Sequence, residues 1–233
     1  MSSVLDPILR RIAGSVRRSA GSAGGTCSWP FTQMYGTVST LIGSEEVTRD
    51  GICEMLAAAY IERLNSGSHL RTYLAGGEGA IDESKIRQLM QLFMIGETMH
   101  PNSMIGLDSY QQDSTDQTRA TVVWLEAKGL SHQNSEKAER TGGHASFGQM
   151  LGNTLVRMGP KYATIGIWGP KGGHSMSATV AGQMRFFDPN FGEFSFGSSK
   201  SFARWFAGFW RKFYGRAHLG ANLSDKYHIM SYS

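Results

Sequence analysis

Three short blocks of the chain carry residues able to do chemistry together: GICEMLAAAYI with Cys53, GGHSMSATV with His174, and FFDPNFGEF with Asp188. Thiol, imidazole and carboxylate are the parts of a nucleophilic site, in which the ring activates the sulfur and the acid orients the ring. Cys53 falls in the first turn of a predicted helix, where free backbone N–H groups and the helix dipole favour an anion, the attacking form of a thiol. Its amide is a natural oxyanion donor, and Gly51 lets the backbone approach a substrate carbonyl closely. The other reading of Cys53 is a small buried hydrophobe at a helix start.

His174 and Asp188, 14 residues apart, stand at the two ends of a predicted hairpin. With Val180-Ala181-Gly182 as a three-residue loop, Ala178 faces Met184, Met176 faces Phe186 and His174 faces Asp188. Met176, Ala178, Val180, Met184 and Phe186 then share one apolar face, while Ser175, Ser177, Thr179, Gln183 and Arg185 share the other. Phe187 breaks the pattern and requires cover from a helix. A slip of one residue would undo both the apolar face and the His–Asp contact. Pro189 keeps Asp188 extended at the strand end. Asp-Pro-Asn is also a turn former, so an Asx-turn at Asp188 is the alternative.

The elements that must position these residues follow from pattern. Residues 1–29 read as a leader: apolar Val4, Leu5, Ile8, Leu9 and Ile12 recur at helical spacing, and 19–29 has a flexible linker's composition. A domain over 30–233 follows. Asp50 is a candidate cap for the Cys53 helix, and a second helix runs from Glu83 to Ile95. His100 to Gln117 reads as a loop, 118–130 is ambiguous between strand and helix, 131–143 reads as exposed, and 147–159 as helical. Strands at 162–169, 174–180, 183–188 and 192–196 form an antiparallel meander, and YHIMSYS closes the chain as an edge strand. Between them, Phe202, Trp205, Phe206, Phe209, Trp210 and Phe213 make one aromatic helix face, to be buried in a core or laid on a membrane. Helices first and an antiparallel sheet later give an α+β class.

Composition narrows the partners. A chain of 233 residues with 40% hydrophobic and 18% charged residues reads as globular, and its net charge of +4 selects no partner by itself. No apolar run is long enough for a transmembrane helix. Two cysteines, Cys27 and Cys53, make no disulfide framework and read as reduced thiols. His69, His100, His132, His144, His218 and His228 lack metal-ligand spacing, so neither metal nor cofactor is expected. GGEGA and PKGG lack the strand–loop–helix context of a phosphate loop, and no nucleic-acid motif accompanies the basic residues.

The three blocks, in the order Cys53, His174, Asp188 with a long first gap and a short second one, resemble the signature blocks of the YopT/AvrPphB-type cysteine proteases, papain-like effectors of bacterial type III secretion. DPN-G-F after a histidine strand is the most specific element. The resemblance implies a papain-like fold with the nucleophile at a helix N-terminus, Cys53 as nucleophile, His174 as base and then acid, and Asp188 as its orienting partner. It implies a thiol endopeptidase secreted into a host cell, in the cytosol or at the inner face of the host membrane. Its substrate would be a host protein, a small GTPase or a kinase, and the basic residues near the aromatic helix could meet an anionic membrane. Deamidation, transglutamination or acyl transfer by the same triad, or simple sequestration of a partner, are the alternatives. Papain-like sites draw a second oxyanion donor from an amide side chain upstream of the cysteine; Gln33 and Thr48 are the candidates here. Gly25 with Cys27 is a faint echo of the N-terminal processing and lipidation seen in some relatives.

Overall fold

The computed structural model describes residues 5–98, 116–139, 144–170, 172–215, 223 and 225–233. The sequence expectations for 99–115 and 140–143, including His100, and for His218, fall outside the described residues.

Among the described residues, seven antiparallel strands form one sheet in the order β1-β6-β5-β4-β3-β7-β2. These are β1 (Gly25–Trp29), β2 (His132–Glu139), β3 (Tyr162–Gly169), β4 (Gly172–Thr179), β5 (Met184–Asp188), β6 (Gly192–Phe196) and β7 (Lys226–Tyr232). The meander from β3 to β6 is the one the alternation predicts. The closing strand is interior, however: β7 lies between β3 and β2. The edge on that side is β2, a strand that the sequence does not betray because HQNSEKAE has no apolar face.

Helices cover both faces, so the class is α+β with a central antiparallel sheet. On one face lie α1 (Asp6–Ser22), α7 (His144–Met158) and α8 (Ser199–Phe213); on the other lie α2 (Gly36–Ile42), α3 (Cys53–Asn65), α4 (Leu70–Tyr73), α5 (Glu83–Thr98) and α6 (Asp116–Ala127). The aromatic face of α8 is core: all six of its rings are buried against Met176, Phe186, Phe194 and Leu151. Each such ring removes a large apolar area from water, which is why the helix packs here rather than presenting that face outward. Ser198 caps it, accepting from the Ser201 amide at 3.1 Å.

The N-terminal segment departs from the reading as a flexible leader. Ala13, Val16 and Ala20 bring α1 flat onto the core, and residues 25–29 are the edge strand β1, paired with β6. Gly25 reports close packing rather than flexibility: a Cβ there would meet the Phe196 ring at 2.4 Å. Arg17 of α1 donates from Nε to the Phe191 carbonyl and from Nη2 to the Phe31 carbonyl, both at 3.3 Å, so it bridges two loops that meet beside the candidate site.

The glycine of DPN-G-F has a physical reason. Gly192 sits at φ +111°, and a Cβ there would lie 2.2 Å from the Trp29 carbonyl oxygen. Gly192→Ala is expected to lower unfolding stability by about 2–4 kcal/mol. A denaturant titration measures it, and an unchanged midpoint would contradict the close approach of β1 to the β5–β6 turn.

Candidate active site

The hairpin of β4 and β5 holds a different register from the one inferred. Ser177 pairs with Phe187, Ala178 with Phe186 and Thr179 with Arg185. The loop is longer than three residues, closed by a hydrogen bond of 2.9 Å from the Thr179 hydroxyl to the Gln183 carbonyl. Relative to the expected pairing the strands are offset by two positions, which preserves the faces because the side-chain period is two. Met176, Ala178, Met184 and Phe186 stay on one apolar side. Phe187 turns to the other, where Tyr60 of α3 covers it with stacked rings 4.8 Å apart.

With the faces preserved, His174 and Asp188 meet diagonally across the pair, Nε2 to Oδ1 at 2.9 Å. Both are buried, Asp188 completely. The Asx-turn is also present: the Asn190 amide donates to the same Oδ1 at 2.8 Å. Turn and ring orientation are one arrangement, not competing ones. A third donor, the Tyr214 hydroxyl just past the end of α8, reaches Oδ2 at 2.8 Å, and its ring stacks on His174 at 5.2 Å. Burial, and then the Asp188 charge, push the Tyr214 hydroxyl far above the usual phenol range, so it remains a donor.

Cys53 begins α3 and lines the same cavity as His174, where its side chain supports the charged form of the ring. Since Nε2 is held by Asp188, Nδ1 is the nitrogen left for the sulfur. Burial by itself would lower the His174 pKa; the Asp188 charge and hydrogen bond, helped by Cys53, more than offset this and raise it from 6.5 to about 10. The imidazolium is thus the favoured form at neutral pH.

The helix start is arranged for this. Asp50 does not cap it: the cap position is Ile52, with no side-chain acceptor, so the first amides of α3 carry no side-chain cap. Asp50 instead lines the cavity of about 230 Å³ that also contains Gln33, Cys53, His174, Asn190 and Tyr214. Gln33 is brought to the site as the sequence suggested. Its Oε1 accepts from the Ile52 amide at 3.2 Å and its Nε2 donates to Asn190 Oδ1 at 3.0 Å, which leaves one amide hydrogen for the cavity. Asn190 Nδ2 in turn donates to the Tyr214 hydroxyl at 3.2 Å. Gly51, at φ +121°, leaves room for that glutamine amide, which a Cβ would crowd at 3.3 Å. Thr48 is not brought to the site. It is fully buried, and its hydroxyl donates to the Ile42 carbonyl at 2.7 Å.

Two participants were missed in the sequence. Asn190 was visible only as a turn residue of DPN, and Tyr214 sits one position beyond the aromatic periodicity of α8. Among the described residues no group of three or more His, Cys, Asp or Glu could hold a metal ion, and no helix is long and apolar enough to cross a membrane.

A family model described as Peptidase_C58, Yersinia/Haemophilus virulence surface antigen, matches residues 24–224. Cysteine protease yopT1 of Yersinia enterocolitica is 30% identical over 225 residues, covering 90% of this chain and 66% of that protein. Cysteine protease YopT of Yersinia pestis is 27% identical over 234 residues, covering 94% of this chain and 67% of that protein. The chain therefore spans about two thirds of the length of these curated relatives. The crystal structure of the Pseudomonas avirulence protein AvrPphB superposes with a TM-score of 0.56 at 18% identity, over 81% of this chain and 95% of that one. The fold the two share is papain-like.

Proposed function

Because the chain belongs to the Peptidase_C58 family of Yersinia/Haemophilus virulence surface antigens, we propose that it is a cysteine-type endopeptidase that acts on a host protein. The observation that supports this reading most directly is that Cys53 and His174 line one cavity, with the His174 ring hydrogen-bonded to the buried Asp188. In this reading Cys53 sulfur attacks the scissile carbonyl, and His174, oriented by Asp188, gives its proton to the leaving amine. His174 then takes a proton from the water that hydrolyses the thioester. The Cys53 amide and the Gln33 amide hydrogen stabilise the oxyanion. The protein would reach its substrate after secretion into the host cell, with a small GTPase or a kinase as the substrate class that the resemblance suggests.

Two measurements test this. Host-cell lysate treated with wild type, but not with Cys53→Ala, is expected to gain new protein N-termini. Mass shifts of about one unit, or new isopeptide links, in their place would assign the site to transfer or deamidation instead. On a peptide taken from such a cleavage site, Gln33→Ala is expected to lower kcat by about 10²–10³ with a smaller change in KM. An unaltered kcat would remove Gln33 from the oxyanion hole.

A further inference from the structure

A second cavity, of about 510 Å³, adjoins the first along the segment 29–36. Thr32 and Tyr35 line it, while Gln33 and Met34 between them line the cavity of Cys53, so one stretch of backbone walls both. Its floor is apolar, made of Trp29, Phe31, Tyr35 and Ile81; its cationic groups are Arg10 of α1 and Arg71 of α4. The Arg10 guanidinium lies over the Tyr35 ring, Cζ 4.7 Å from the centroid. No carboxylate among the described residues lines the cavity, and both arginines are exposed. None of the ion pairs within the described residues uses either one.

Among the described side chains, two guanidinium groups line the cavity with no anion, Arg10 lying over the Tyr35 ring, and they form a site of unbalanced positive charge. A carboxylate pairs with the planar fork of a guanidinium geometrically and electrostatically. The apolar floor suits the methylenes that carry it. A substrate chain lying extended through the Cys53 cavity advances about 3.3 Å per residue, so a side chain two or three residues from the scissile bond spans the shared wall. Neither arginine takes part in the hydrogen-bond chain around Cys53, and that chemistry gives no reason for their placement.

We propose that this cavity is a specificity pocket for an acidic side chain, Asp or Glu, of the protein substrate, a few residues from the bond attacked. The inference rests on the neighbouring site acting on a polypeptide. Its test is binding to Cys53→Ala protein, in which no turnover occurs. Fluorescein-labelled decapeptides of Gly, Ser, Asn and Leu, with one Glu scanned through the positions, are compared by fluorescence polarisation with the same peptides carrying Gln. Glu is expected to bind about five- to tenfold tighter than Gln at one position or two neighbouring ones. That ratio should fall to near one in Arg71→Ala, Arg71→Gln and Arg10→Ala proteins whose melting temperatures match the parent, and Arg71→Glu should invert it toward Lys. Equal binding of Glu and Gln at every position, a ratio that survives removal of both arginines, or no binding of any peptide would overturn the proposal. Failure of the peptidase reading looks different: lysate without new N-termini, beside a Glu preference that still depends on Arg10 and Arg71.

Discussion

With His174 replaced by alanine, iodoacetamide is expected to alkylate Cys53 at pH 7 at least about tenfold more slowly than in the wild type, and peptide cleavage to fall by about 10⁴-fold or more. The two losses differ because they report different things. Alkylation needs only the thiolate, which an ordinary thiol populates to a few per cent at neutral pH and which a neighbouring imidazolium favours. Cleavage needs in addition a proton donor for the leaving amine and a base for the water, the two tasks proposed for the His174 ring, which hydrogen-bonds Asp188 and lines the Cys53 cavity. Cys27 is an internal control. It is a free, half-buried thiol of β1, and burial pushes its pKa up, with Arg17 and a backbone hydrogen bond opposing only in part. Its slow labelling should be the same in both proteins, so peptide mass mapping separates the two sites within one sample. Equal labelling of Cys53 in wild type and His174→Ala would remove the imidazole from any role in activating the sulfur.

Much of this site was legible because its residues sit where secondary structure alone constrains them. A cysteine at a helix start, a histidine on an alternating strand and an aspartate before a proline each have a local signature, and parity along the hairpin places ring and acid on one face. Parity does not fix register, however. Offsets by two leave every face unchanged, and the choice was made by the Thr179 hydroxyl closing a longer loop, which no periodicity encodes. The same limit hid Tyr214 and Arg17. Both act through contacts across the sequence: Tyr214 reaches back 26 residues to Asp188, and Arg17 spans 174 residues to Phe191.

The N-terminal segment failed for a related reason. Composition rich in Gly, Ser and Ala reads as a linker when nothing packs against it, yet small residues are also what let α1 and β1 lie close to a core of aromatic rings. Gly25 under Phe196, and Ala13, Val16 and Ala20 against the core beneath α1, are of the second kind. The strand β2 shows the converse. Polar on both faces, it carries no hydrophobic signal and is held as an edge by its ladder to β7. Burial of α8 likewise settles what periodicity left open, since all six rings of its aromatic face lie inside the protein and none is left to meet a membrane.

Asp188→Asn tests how far the acid, rather than the ring alone, sets the chemistry, and it is expected to lower kcat by about 10²–10⁴. The carboxylate accepts from three donors, His174, Asn190 and Tyr214. An amide of the same size cannot accept at both atoms, so one donor is left facing an NH₂ group in a fully buried position. The pH dependence separates this from a mere packing defect. In the wild type the His174 pKa is raised from 6.5 to about 10, against burial and chiefly by Asp188, so the imidazolium needed for proton donation persists until pH approaches about 10. A raised folded-state pKa also contributes stability that is complete below about pH 6.5 and is lost as pH climbs to about 10. Removing the charge leaves burial as the largest influence, and burial lowers the pKa. The alkaline limb of kcat/KM is therefore expected to move down by at least one pH unit in Asp188→Asn. The excess thermal stability of wild type over the variant should be greatest near pH 6 and shrink toward pH 10. A variant that loses rate while keeping the wild-type alkaline limb would show Asp188 to be a structural brace for the turn, with the charge on His174 held by something else.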